Sequence, residues 1–204
     1  MRWNLYKHPL ANTNIKNGAT VGTLLSIYIS NDKKTLKRVY DINGTTVSGK
    51  KPVINSVLEM QKLFANELHW LSILKNSKYV PTLIDYNESE MSIVQEFVNN
   101  DLYTILANKE KMPKDIVQQL VEMYGEYQKK GLFKGNGDPR NLAIKNNQLI
   151  AFDFKWAKQR SEKGVFYEWI SMCHFLKRIH PNLLQELKAT FNDFPKEEEL
   201  LKIY

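Results

Sequence analysis

The sequence predicts an α+β fold in two parts, strand-rich first and mainly helical afterwards. Three observations carry this. Residues 20–42 alternate loosely in polarity and are rich in Val, Ile, Tyr and Thr, as half-buried strands are. Ser56 and Glu59 form a Ser-x-x-Glu box that opens a helix. From Pro113 onward, Ile116, Leu120, Val121, Tyr124 and Tyr127 recur at helical spacing. Such an order of elements builds segregated layers of sheet and helix.

Taken in order, Thr23–Ile29 and Lys34–Tyr40 read as paired strands about an Asn31-Asp32 turn, and residues 43–51 as a flexible loop. The capped helix runs to about Lys75, with Met60, Phe64, Leu71 and Leu74 on one stripe. Glu67 falls on that same stripe, where a partly desolvated carboxylate needs a cation. Leu83–Tyr86 and Met91–Val98 read as a hairpin, Asn99-Asn100-Asp101 as a break, and Leu102–Ala107 as a short helix. Gly131 suits the C-cap of the long helix. A Gly/Asn loop, Lys134–Asn141, leads to two short strands, 142–145 and 148–152. Helices are expected at 165–180, ended by Pro181, then at 182–192 and in the tail. The expected division is 1–98 and 99–204.

Composition narrows the class. Of 204 residues, 43% are hydrophobic and 25% charged, ordinary for a globular chain. One cysteine, Cys173, excludes an internal disulfide and a cysteine-based zinc cluster. No apolar run approaches the ~18 residues of a membrane span, and no leader-like segment opens the chain, so a cytoplasmic setting is expected. The net charge is +7, and the window Lys129–Lys163 alone carries nine basic and three acidic side chains. Such a field attracts anions, or else it is solvated surface. The basic window lacks the aromatic interleaving of a nucleic-acid stacking platform, so nucleic acid is not the expected partner.

Two carboxylates stand out. Asp138 lies in the Gly/Asn loop, Asp153 ends the second short strand, and Asn141 lies between them. Each alone suits a turn or a strand end. Together, Gly137-Asp138-Pro139-Arg140-Asn141-Leu142-Ala143-Ile144 and Ile150-Ala151-Phe152-Asp153-Phe154 resemble the H-G-D-x-x-x-x-N and D-F signatures of the protein-kinase-like superfamily. The closer likeness is to its atypical branches: lipopolysaccharide-core sugar kinases, RIO-type kinases, and choline or aminoglycoside phosphotransferases.

The resemblance implies a bilobal fold with a strand-rich N-lobe and a truncated helical C-lobe, holding ATP and Mg2+. Thr35–Tyr40 would carry the phosphate-binding lysine, Lys37, with Glu67 as its partner; Arg38 is the other cation in reach. Gly18 and Gly22 resemble a degenerate glycine-rich loop, and Gln95–Val98, including Glu96 and Val98, resembles the hinge that meets adenine. Asp138 would position or deprotonate an acceptor hydroxyl, and Asp153, with Asn141, would hold magnesium. The acceptor is expected to be anionic: a sugar, a glycolipid or a protein. Three features depart from the pattern. Asn136 stands at the place of the histidine, Asp138 and Asn141 are three apart rather than five, and only 51 residues follow Asp153, fewer than the full helical lobe of ordinary protein kinases needs. Lys155 holds the place of the glycine after Asp-Phe, which the atypical branches often lack. A pseudokinase, serving as a nucleotide-binding or regulatory module, is the alternative.

Overall fold

The computed structural model describes residues 3–5, 25–40, 45–48, 51–54, 56–135, 137–159 and 172–190. It divides into two compact units, residues 1–75 with 81–97, and residues 76–80 with 98–204.

The first unit is built on an antiparallel sheet of β1 (Trp3–Leu5), β2 (Leu25–Ser30), β3 (Thr35–Tyr40), β6 (Leu83–Asn87) and β7 (Ser92–Glu96), in the order β1-β2-β3-β7-β6. Asp32 supports the β2–β3 turn by accepting from the Ser30 hydroxyl at 2.6 Å and the Lys34 N–H at 3.1 Å. Side chains alternate along β3: Leu36, Arg38 and Tyr40 are buried, while Thr35, Lys37 and Val39 are only half-buried on the other face. The sequence marked 43–51 as a loop. Instead, β4 (Thr45–Ser48) and β5 (Lys51–Ile54) pair as a hairpin in register Ser48 to Lys51. Thr45, Thr46, Val47, Val53 and Ile54 are β-branched, and a two-residue Gly-Lys connection suits a tight hairpin.

Helix α1 (Val57–Ile73) packs on β3 and β7. The Ser56 hydroxyl caps it by accepting from the Glu59 N–H at 3.1 Å. Its buried stripe is Met60, Leu63, Phe64, Glu67, Trp70 and Leu71, so a carboxylate does lie among the apolar residues facing the sheet.

The second unit is mainly helical: α2 (Leu102–Ala107), α3 (Ile116–Lys129), α4 (172–179) and α5 (Pro181–Thr190). Pro181 opens α5 rather than merely closing the helix before it, since proline fits a first helical turn whose N–H groups lack intrahelical partners. Strands β9 (Leu142–Lys145) and β10 (Gln148–Ala151) form a hairpin, and β8 (Leu132–Phe133) pairs with β11 (Lys158–Gln159). Gln119 fastens α3 to the β9–β10 hairpin. Its carboxamide donates to the Asn147 carbonyl at 2.9 Å and accepts from the Leu149 N–H at 2.7 Å.

Residues 76–80 belong to this unit through three ties. The Ala151 N–H donates to the Tyr79 carbonyl at 2.7 Å, and the Tyr79 hydroxyl donates to Glu122 at 2.5 Å. Lys78 reaches the same carboxylate at 3.1 Å. The Tyr79 hydroxyl, with Gln118 and Lys78 behind it, holds the Glu122 carboxyl down at about 2. The fold therefore keeps Glu122 ionised over a range in which the unfolded chain binds a proton. That stabilisation is complete above about pH 4.5 and is lost as pH falls toward 2. Glu122→Gln will flatten that limb of an acid-unfolding curve followed by circular dichroism; an unchanged limb would show that the cluster contributes nothing.

Candidate functional site

In the first unit, the buried carboxylate has its cation, but not the expected one. Glu67 Oε1 lies 2.5 Å from Arg38 Nη1, and the Tyr40 hydroxyl donates to Oε2. Lys37 points the other way and is held at 2.7 Å by Glu90. Its ammonium keeps the Glu90 carboxyl below the usual carboxylate range, helped by the Ser92 hydroxyl. The Lys37–Glu67 pairing is therefore corrected to Arg38–Glu67. The reason is parity: on a strand, moving one residue along moves a side chain to the opposite face. With Leu36 and Tyr40 facing α1, residue 38 must face it too.

Glu96 ends β7, where its N–H donates to the Thr82 carbonyl at 2.9 Å. The next N–H, of Phe97, donates to the Lys34 carbonyl at 2.8 Å, which fastens the end of the sheet ahead of Val98. Gly18 and Gly22 lie outside the described residues.

In the second unit, Asp138, Asn141 and Asp153 are gathered by a short 3-10 turn, Pro139–Asn141, and the hairpin that follows it. Asp138 caps this turn, its Oδ1 accepting from the Arg140 N–H at 2.9 Å. The turn is fixed to the end of β10 because the Phe152 N–H donates to the Asn141 carbonyl at 3.0 Å. That bond sets Asn141 beside the segment carrying Asp153. Asp153 itself has φ 68°, a left-handed conformation that aspartate tolerates better than most residues.

Neither carboxylate stands alone. The Arg140 guanidinium grips Asp138 through Nε at 2.9 Å and through Nη2. This carboxylate raises the Arg140 pKa, and the guanidinium also lies over the Phe175 ring, 4.9 Å from its centroid. Lys155 Nζ donates to Asp153 Oδ1. A magnesium ion held by Asp153 and Asn141 does not fit the donors as they stand. The one charged oxygen donor of that pair carries an ammonium ion, and Asn141 offers only a neutral amide. Among the described residues, no group of three or more His, Cys, Asp or Glu side chains is placed to share a metal ion.

The loop before Asp138 packs closely on the turn after Asp153. The Lys134 ammonium is buried 5.4 Å from the Phe154 ring centroid, and the fully buried Phe154 meets Tyr127 edge-on. Gly135 has φ 81°, and a Cβ there would come within 2.8 Å of the Trp156 carbonyl oxygen. Gly135→Ala therefore brings both left-handed strain and a backbone clash, costing about 1–3 kcal/mol. Urea unfolding of this variant will show the loss; wild-type stability would mean that the loop yields freely.

The basic window is less exposed than its formal charge suggests. Lys134 is buried, and Arg140 and Lys155 are spent on Asp138 and Asp153, whereas Lys129, Lys130 and Lys158 are exposed. Sequence reading did not find the Arg140 and Lys155 pairings, although in both a basic residue follows an aspartate by two positions. Gln119 carried no signal at all.

In its α+β architecture, a sheet backed by a helix in one unit and helices with a short hairpin in the other, the chain has a fold seen in solved kinase-like structures. The chain is similar to three solved structures of WbdD. The co-crystal with a kinase inhibitor matches at 15% identity and TM-score 0.58, over 91% of this chain and 43% of that one. Monomeric WbdD matches at 15% identity and TM-score 0.61, over 100% and 48%. A further WbdD structure matches at 13% and 0.57, over 98% and 47%. The chain thus spans less than half the length of these proteins. No family model matches it, and no curated protein does. Among the described residues, no helix is long and apolar enough to cross a membrane.

Proposed function

We propose that the chain is an ATP-dependent phosphotransferase domain that passes the γ-phosphoryl group to a hydroxyl acceptor. The observation that carries this reading is the buried Arg38–Glu67 pair. It joins the same strand and helix to which the kinase-like resemblance assigns a phosphate-orienting cation and its glutamate. In the reaction, an acceptor oxygen forms a bond to the γ-phosphorus as the bond to the ADP oxygen breaks. The acceptor's proton leaves for solvent, guided by Asp138. Because the transition state is loose, Asp138 need only orient the hydroxyl, and a carboxylate held by Arg140 suits that task better than early proton abstraction. The exposed Lys129, Lys130 and Lys158 support an anionic acceptor, such as a phosphorylated sugar, an acidic glycolipid or an acidic protein segment.

The cations on Asp138 and Asp153 favour a second reading, a nucleotide-binding regulatory module without turnover. One pair of measurements separates the two. ATP at a hundredfold excess over its dissociation constant should stabilise the fold by about 2.7 kcal/mol, and transfer from γ-labelled ATP should be detectable with anionic hydroxyl acceptors. Stabilisation without transfer supports the module. Absence of stabilisation in a folded sample overturns both.

A further inference from the structure

We propose that Lys155 is an internal cation that takes the place of a divalent metal ion beside Asp153, so that the chain binds nucleotide phosphates without magnesium. This rests on the nucleotide-binding reading above. The position of Lys155 is built by the backbone rather than left to a loose surface side chain. Asp153, two residues past the end of β10, is in a left-handed conformation, and Lys155 follows two residues on, in a turn closed by the Ala157 N–H donating to the Phe154 carbonyl at 2.9 Å. Phe154 anchors that turn in the core, and Gly135 admits the Trp156 carbonyl at close range. Both charged side chains are largely sequestered, Lys155 at 12% and Asp153 at 18% exposure.

The charge balance follows. An aspartate alone repels a triphosphate, and a divalent ion reverses that sign. An ammonium ion cancels it, leaving Asp153 and Lys155 neutral together. Arg140 does the same for Asp138. A divalent ion at Asp153 must displace the ammonium in contact with it or sit beside it, where like charges a few ångströms apart repel in a partly desolvated site. Phosphates meet no such barrier, and the lysine head supplies donors to them.

The test uses the full chain, as wild type, Lys155→Met and Lys155→Arg, with folding checked by circular dichroism. Methionine keeps the unbranched stem without the charge; arginine keeps a cation. ATP affinity is measured in EDTA and in excess magnesium. Wild type and Lys155→Arg should differ by less than about threefold between the buffers. Lys155→Met should bind at least about tenfold more tightly with magnesium, a difference of 1.4 kcal/mol. A wild type that needs magnesium by tenfold or more overturns the proposal, as does a Lys155→Met protein indifferent to the metal.

Binding of Mn2+ to the nucleotide-free protein, followed by electron paramagnetic resonance, provides a second arm that does not depend on ATP. Lys155→Met should bind the ion and wild type should not. Binding by wild type that Asp153→Asn abolishes, or no binding by either protein, overturns the proposal. If ATP binds to none of the proteins, the nucleotide reading fails, and the Mn2+ arm still decides whether Lys155 occupies a metal position.

Discussion

Glu67→Ala will lower the unfolding free energy by about 3–5 kcal/mol, because it strands a buried guanidinium without its counter-ion. Glu67 is fully buried and Arg38 only 5% exposed, so water reaches neither side to compensate. The same substitution also strips the Tyr40 hydroxyl of its acceptor. Arg38→Ala should cost a similar amount by leaving the carboxylate unpaired. Lys37→Ala should cost less than about 1 kcal/mol, since its partner Glu90 lies in solvent at 45% side-chain exposure. Urea unfolding of the three variants side by side measures the contrast. Equal losses at positions 37 and 38 would refute the assignment of the buried cation to Arg38. On the proposed nucleotide-binding reading, ATP affinity is an independent readout: Lys37→Ala should retain it, and Arg38→Lys, which keeps the charge but not the planar fork, should weaken it.

On the phosphotransferase reading, Asp138→Ala should reduce phosphoryl transfer by about 10²-fold, the loss expected when a reacting group is misplaced, while ATP binding persists. The substitution also removes the cap of the turn that fixes Asn141 to the end of β10. Asp138→Asn separates the two effects. An asparagine side chain still caps the turn but no longer carries the charge that holds Arg140 and, on the proposed reading, orients the acceptor. Transfer lost in both variants, with folding kept in Asp138→Asn, assigns the defect to chemistry. Transfer retained in Asp138→Asn would make position 138 a structural cap. Asn141→Ala should have the smaller effect on turnover, because the fixing contact it provides is a backbone carbonyl that alanine also has.

Much of the local structure was legible because it is written in short-range chemistry. The Ser56–Glu59 box marks the start of α1, the β-branched alternation marks β2 and β3, and the Asn146-Asn147 turn marks the β9–β10 hairpin. Glu67 announced itself as a carboxylate on an apolar stripe, which by itself requires a buried cation. The hairpin of β4 and β5 was missed because Gly, Lys and Ser around it have the composition of a loop, while its β-branched residues form only short runs.

The sequence by itself determined the main elements from β2 and β3 through α1, α2 and α3 to the β9–β10 hairpin, the need for a partner at Glu67, and the clustering of Asp138, Asn141 and Asp153 about one turn and one hairpin. Only the tertiary structure decided which cation answers each carboxylate. Lys37 and Arg38 are adjacent in sequence and alike in charge, but the pleat of β3 sends one to Glu90 and the other to Glu67. Lys155 and Arg140 read as part of a basic surface until the chain is folded. Then the turns after Asp153 and Asp138 bend each basic side chain back onto the aspartate two residues before it. Charge is a property of composition, whereas which charges are neutralised depends on backbone direction, and that is fixed only when strand, turn and helix pack together.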